Sequence, residues 1–157
     1  MTPTIIRFEC EPYLIQFMEK KFGKKPIRFP RKHDFNNLLE YLLDMPPLDY
    51  SPVLGENTLS IILPDFRTIH TSIYSYLSPV SEVIFKKRMK LFFRITFHAD
   101  INQAVVCGIQ KKDAIGLFME KYDLSPDCID MLEKDYNRYL TLRRVNRRNR
   151  KKINSVN

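Results

Sequence analysis

The sequence predicts a mainly α (α+β) fold: a helical domain with a small two-stranded sheet, followed by two helices, the last long and basic. Three observations support this class. Apolar residues recur at helical spacing in five or six segments. Only two short runs, at residues 4–8 and 58–63, have the composition of strands. Proline and glycine fall between these segments, where they end helices or begin loops.

The two strand candidates could pair and form a small sheet against the helices. Between them, residues 11–22 predict a helix that Gly23 is placed to end in a left-handed cap. A second helix is expected over residues 34–43, with Asp34 as its cap. The two prolines that follow it stop this helix and open a loop.

The chain after residue 78 is predicted to be almost entirely helical. A Ser-Pro pair at 78–79 begins a helix that should run to about residue 97. A separate short helix is expected over residues 100–106, capped by its first residue and closed by Gly108, and another over residues 111–122. In the helix that begins at 78–79, the side facing the core is expected to be the apolar stripe Val80, Ile84, Leu91 and Ile95. Phe85, Met89 and Phe92 should join this stripe.

The final helix begins with a second Ser-Pro pair, in which Ser125 is a good N-cap and Pro126 suits the first helical position. Apolar residues then follow at spacings of three, four and three, at Ile129, Leu132, Tyr136 and Tyr139. The next position of this stripe is Arg143. Burial should therefore end near residues 139–140, and the basic remainder should project from the body.

This basic remainder carries the whole formal net charge of the protein. The 157-residue chain has 26 basic and 18 acidic residues and a net charge of +8, and between residues 138 and 152 it has no acid. The basic residues of this segment, hereafter the tail cations, are Arg138, Arg143, Arg144, Arg147, Arg148, Arg150, Lys151 and Lys152. Like-charged pairs four residues apart each destabilise an isolated helix by roughly 0.2–0.5 kcal/mol. We therefore expect this part of the helix to be frayed in the free protein and ordered by phosphates.

The tail cations predict binding to a polyanion. Nucleic acid is favoured because arginine predominates and the charges cluster on a helix. DNA is preferred over RNA. A homodimer is a separate expectation. One alternative is an arginine-rich RNA-binding protein. Another is a protein–protein adaptor whose tail only aids solubility. No membrane partner is expected, since no apolar run approaches the roughly 18 residues of a span.

Two further basic clusters precede the tail. The loop cations are Lys24, Lys25, Arg28, Arg31 and Lys32, in a segment with two prolines. With the neighbouring aromatics they could follow a phosphate backbone and stack on bases. Alternatively, Phe22, Ile27 and Phe29 pin the loop to the core while its cations are merely solvated. The third cluster is more typical of an ordinary solvated helix face and comprises Lys86, Lys87, Lys90 and Arg94.

Residues 115–134 resemble the helix-turn-helix motif of DNA-binding proteins. The apolar positions of that motif are occupied by Phe118, Tyr122, Leu124, Ile129 and Leu132. Two other positions depart from it, since Met119 stands where a small residue is preferred and Asp123 where glycine is. The resemblance implies that the second helix lies in the major groove and that base contacts come from Asp127, Asp130, Met131, Lys134 and Asp135. An equally good hypothesis is entry by the basic half, from Arg138 on, as in a basic-region helix.

The sequence predicts neither an enzyme nor a cofactor. No glycine loop could cradle a phosphate, and because His33, His70 and His98 are isolated we expect no metal site. Three widely spaced cysteines without a visible secretory signal indicate free thiols in a cytoplasmic protein. Domains are expected over residues 1–107 and 108–157. In general character the chain is similar to products of phages and mobile elements.

Overall fold

The computed structural model describes residues 2–52 and 55–156. Within these ranges the elements are β1 (Ile5–Glu9), α1 (Pro12–Phe22), α2 (Asp34–Leu42), β2 (Thr58–Ile62), α3 (Pro79–Val106), α4 (Lys111–Lys121) and α5 (Ile129–Asn154), with a 3₁₀ turn at Pro126–Cys128. The prediction of a mainly α fold with a small two-stranded sheet is confirmed. No helix of the described residues is both long and apolar enough to cross a membrane.

The chain divides into two compact units, Met1–Phe93 and Arg94–Asn157, and the boundary lies inside α3. The sequence instead suggested a division at residues 107/108, in the turn after α3. α3 is one continuous helix of 28 residues, so the prediction of a separate helix capped by Asp100 was wrong. The physical reason is that Phe97 and Ile101 are fully buried and continue one apolar stripe across the expected break.

The first unit is built on the antiparallel pair β1–β2, in which Ile5 lies opposite Ile62. Aromatic rings join this sheet and α1 to α3. The Phe8 ring lies 5.8 Å from the Phe85 ring and perpendicular to it. The Phe17 ring lies 5.0 Å from the Phe93 ring in the same edge-to-face arrangement. Such pairs stabilise a core beyond the burial of their area, by roughly 0.5–1.5 kcal/mol each.

The inward stripe of α3 is not the predicted one. Its buried residues, at most 3% exposed, are spaced four apart and comprise Phe85, Met89, Phe93, Phe97 and Ile101. The predicted stripe is 44–71% exposed and comprises Val80, Ile84, Leu91 and Ile95. α3 is apolar around much of its circumference, so periodicity alone could not choose a side. The larger aromatic residues occupy the core because their burial removes more apolar surface from water.

The N-terminus of α2 differs from the prediction by one residue. His33, not Asp34, is the cap, and its Nδ1 accepts a hydrogen bond from the backbone N–H of Phe35 at 3.2 Å. Burial lowers the pKa of His33, which keeps this nitrogen unprotonated and able to accept. Asp34 is the first helical residue, where its negative charge suits the positive end of the helix dipole.

Gly108 closes α3 as predicted, with a φ of +92°. Its N–H donates to the Val105 carbonyl at 3.0 Å, and the Ile109 N–H donates to the Ala104 carbonyl at 3.0 Å. These two bonds form the Schellman arrangement, which needs a left-handed residue at this position.

Substituting Gly108 should therefore destabilise the second unit. We expect Gly108→Ala to lower the free energy of unfolding by about 1–2 kcal/mol. The space beside Gly108 is open, so the cost is confined to the backbone. Gly116, inside α4, also faces open space but lacks a positive φ, and Gly116→Ala should raise stability by roughly 0.5–1 kcal/mol. Urea denaturation would measure this contrast, and equal effects of the two substitutions would contradict it.

Candidate nucleic-acid interface

The first half of α5 is anchored in the core of the second unit. Its buried residues pack with those of α4 and the turn between them, and the buried set comprises Ile115, Phe118, Tyr122, Leu124, Leu132 and Tyr136. Ile129 is only half-buried, because the chain enters α5 through the 3₁₀ turn. Every described residue from Thr141 onward is exposed. Burial thus ends at Leu140, as the sequence predicts.

A polar network on α3 fixes the direction of α5 within this unit. The Asn102 amide donates to the Tyr139 hydroxyl at 2.8 Å, and its carbonyl oxygen accepts from the Tyr136 hydroxyl at 2.9 Å. Burial raises the pKa of Tyr136, so this hydroxyl remains a donor. The His98 ring stacks on the Tyr139 ring with 4.1 Å between centroids. The part of α5 around Tyr136 and Tyr139 is therefore held to α3 by hydrogen bonds and ring stacking.

Asp135 is engaged by α3 and is not open to a base. Its two carboxylate oxygens lie 3.0 Å from Arg94 Nε and 2.6 Å from His98 Nε2. The helix-turn-helix resemblance placed Asp135 among the base-contacting residues, and this geometry speaks against that role. The sequence offers no local signal for the contact, since His98 and Asp135 are 37 positions apart. Of the other implied residues, Asp127 and Asp130 are exposed acids that repel phosphates.

The turn between α4 and α5 has an unusual backbone at Asp123. Its φ is +51°, in the left-handed region that favours glycine and that aspartate tolerates. This is the position at which the sequence departs from the motif's preferred glycine. The bulky Met119 is half-buried, and its carbonyl accepts from the Leu124 N–H at 2.9 Å. The local conformation of the turn therefore remains accessible without glycine.

The tail cations occupy one side of α5, which is a continuous helix through all of them. Successive residues of a helix are about 100° apart, so seven of the tail cations, all but Arg138, fall within an arc of roughly 200°. All eight are exposed. In the part of the chain that the structure describes, none of them forms an ion pair with an acid. The fraying expected of the free protein stays a prediction.

The loop cations are exposed, but the loop that carries them is pinned to the core. Ile27 and Phe29 are buried. The Ile27 N–H donates to the Ser60 carbonyl at 2.9 Å, and its carbonyl accepts from the Ile62 N–H at 2.8 Å. The Asn36 amide donates to the Pro30 carbonyl at 2.8 Å. Phe29 therefore offers no stacking surface, and the structure favours the second of the two interpretations of this loop.

Acids neutralise most of the third basic cluster. Lys86 lies 3.6 Å from Glu82, one helical turn earlier, and Lys90 forms an ion pair with Glu11. Arg94 forms an ion pair with Asp135. The interpretation of this cluster as an ordinary helix face is therefore favoured, and the tail remains the largest group of unpaired cations among the described residues.

The described residues contain no group of three or more histidine, cysteine or acidic side chains that could hold a metal. The three cysteines are free thiols, with Cys10 and Cys128 buried and Cys107 exposed. Burial raises the pKa of the Cys10 thiol to about 11, far above the range in which a thiolate nucleophile would form. Cys10 is therefore a core residue.

The candidate interface is thus a set of charges on one side of an anchored helix. No protein family model matches the chain, and no curated protein or solved structure matches it significantly.

Proposed function

We propose that the protein is a non-enzymatic nucleic-acid-binding protein, with DNA preferred over RNA, whose tail cations bind the phosphate backbone. The observation that carries the proposal is eight exposed cations, without acid partners in the described chain, on a helix whose other half is anchored by the buried Leu132 and Tyr136. Holding these like charges together is unfavourable in water. Phosphates would remove that repulsion and release counterions, which drives binding.

Binding is expected to be largely independent of base sequence. Arginine pairs with phosphate through two parallel hydrogen bonds and needs no base contact to gain affinity. The early part of α5 is unsuited to the groove, because Asp127 and Asp130 are exposed and Asp135 is held by α3. These features support entry by the basic half over entry by the helix-turn-helix residues. A sequence-tolerant binder suits a regulator or accessory factor of a phage or mobile element.

A gel-shift comparison of DNA and RNA duplexes of one length and sequence tests the proposal. The variant Arg143→Gln/Arg147→Gln/Arg150→Gln/Lys151→Gln should lower DNA affinity by more than about tenfold at 0.1 M salt. A matched control removes four exposed cations elsewhere, with the substitutions Arg67→Gln, Lys87→Gln, Arg88→Gln and Lys112→Gln, and should bind almost as wild type. Tighter binding of RNA would favour the arginine-rich RNA-binding alternative. Binding of neither duplex would favour the adaptor.

A further inference from the structure

The side of α5 opposite the tail cations carries an exposed apolar stripe. Its apolar members are 45–84% exposed and comprise Leu142, Val145, Ile153 and Val156, the last of which lies two residues beyond the helix end. Asn149, also exposed, lies in their middle. Within α5 the four positions Leu142, Val145, Asn149 and Ile153 fall within an arc of roughly 80°. The second half of α5 is therefore amphipathic, with a charged side and an apolar stripe.

Single exposed apolar residues are common on protein surfaces and need no partner. An aligned stripe on a helix is different, because alignment is what a contact with another helix requires. The core of the second unit does not use this stripe, since every described residue after Leu140 is exposed. The tail cations other than Arg138 do not use it either, because they lie outside its arc.

The spacing within the stripe indicates which partner covers it. From Leu142 to Val156 the steps are three, four, four and three residues, the same when read from either end. A second copy of α5 in the opposite direction would therefore place Val145 against Ile153 and Leu142 against Val156. Asn149 would meet Asn149 of the second copy. Asparagine at a central position of a helix pair sets its register, at some cost in stability.

We propose that two copies of the protein associate through this stripe, with their α5 helices antiparallel and Asn149 at the two-fold axis. The opposed helix dipoles favour this direction. Most of the tail cations point away from the contact, so the pair carries a basic surface on each of its two outer sides. The pairing itself does not require nucleic acid, so the inference stands apart from the proposed function.

A lipid surface fits the stripe less well than a second copy does. Helices that lie in a membrane interface present aromatic and large aliphatic residues, with Trp, Phe and Leu prominent. This stripe has no aromatic residue and has an amide, Asn149, at its centre. Burying that amide in hydrocarbon without a partner is costly, whereas two such amides can bond to each other.

Salt should act on this association in the opposite direction to its effect on DNA binding. Arg148 and Lys152 border the stripe, so two paired helices bring like charges near each other. Raising salt from 0.1 to 1 M shortens the screening length from about 10 Å to about 3 Å and weakens this repulsion. The dimer should therefore strengthen with salt, while binding to phosphates weakens with it.

Sedimentation equilibrium without nucleic acid, at 0.1 and 1 M NaCl, tests the pairing. We expect a reversible monomer–dimer equilibrium that is tighter at 1 M, with a Kd on the order of 10 μM or weaker for so small a contact. The variant Val145→Gln/Ile153→Gln should be monomeric in both buffers. The control Val106→Gln/Leu117→Gln, which changes two exposed apolar residues outside the stripe, should dimerise as wild type.

Three outcomes, two from sedimentation and one from vesicle binding, would overturn the proposal. The first is a wild-type protein that is monomeric in both buffers. The second is a stripe variant that dimerises as well as wild type. The third is a monomeric protein that binds phosphatidylserine vesicles through the stripe, measured as loss of binding in Val145→Gln/Ile153→Gln. Circular dichroism of each variant confirms that these exposed substitutions leave the helices intact.

Disulfide trapping tests the antiparallel direction. In a Cys107→Ser background, which removes the exposed native thiol, Asn149→Cys should oxidise readily to a covalent dimer. Facing positions of two packed helices come within the roughly 4.4–6.8 Å between Cα atoms that a disulfide needs. Leu142→Cys should not form a covalent dimer, because in an antiparallel pair position 142 faces Val156 of the second copy. Arg147→Cys should not form one either, because position 147 lies on the charged side of the helix. Efficient trapping through Leu142→Cys would show a parallel pair and overturn the proposed arrangement.

Discussion

Binding of the full-length protein to duplex DNA should weaken steeply as salt rises. If about five to eight of the tail cations contact phosphates, log K should fall against log salt with a slope of about −4 to −7. The slope reflects the counterions released from DNA when phosphates are neutralised. Residues 138–152 contain no acid that would weaken the effect.

Truncation after Leu142 removes seven of the eight tail cations and should flatten this slope. The remaining slope would be that of the loop cations and of Arg138. The fold should survive, because the deleted residues that the structure describes are all exposed. Fluorescence anisotropy of a labelled duplex at several salt concentrations would give both slopes. A truncated protein that binds with the full-length slope would move the binding surface to the N-terminal clusters and leave the tail as a solvated appendage.

Leu132→Ala should cost roughly 2–5 kcal/mol of unfolding free energy, the range seen when a fully buried leucine is truncated. Leu132 is fully buried in the second unit, where Phe118, Tyr122 and Leu124 are also buried. Since a typical domain is stable by only about 5–15 kcal/mol, the substitution should shift the urea midpoint substantially.

The matched control for Leu132→Ala is Leu142→Ala in the same helix. Leu142 is exposed, so its truncation should change stability by no more than about 0.5 kcal/mol. Both variants should be measured at low protein concentration, where the proposed helix pair does not form. A midpoint for Leu132→Ala close to that of Leu142→Ala would show that α5 is not docked as the structure describes.

The features of this protein that depend on local sequence could be predicted. The strand pair, the ends of α1 and α4 and the glycine closure of α3 follow from turn residues and short periodic runs. The point where burial ends on α5 also followed from the sequence, because Arg143 takes the stripe position after Tyr139. A charged arginine without a partner is too costly to bury, whatever the surrounding fold.

The features that depend on competition between alternatives could not be predicted. α3 has two apolar stripes, and the core took the aromatic one, which left Ile84 and Leu91 exposed. The same burial carried the helix through Asp100, an expected cap. Rules based on local sequence assess each possible cap or apolar stripe separately. They do not weigh how much surface each removes from water once the sheet and the other helices are in place.

By itself, the sequence determined where the charge lies and which part of the last helix must stay outside the core, because both are properties of single residues. Only the tertiary structure decided which charges are available. In the folded chain Asp135 pairs with Arg94 and His98, and Lys86 and Lys90 form ion pairs with Glu82 and Glu11. The tail cations have no acid partners among the described residues. Charge depends on residue type, but its neutralisation depends on distances of a few ångströms between residues far apart in the chain.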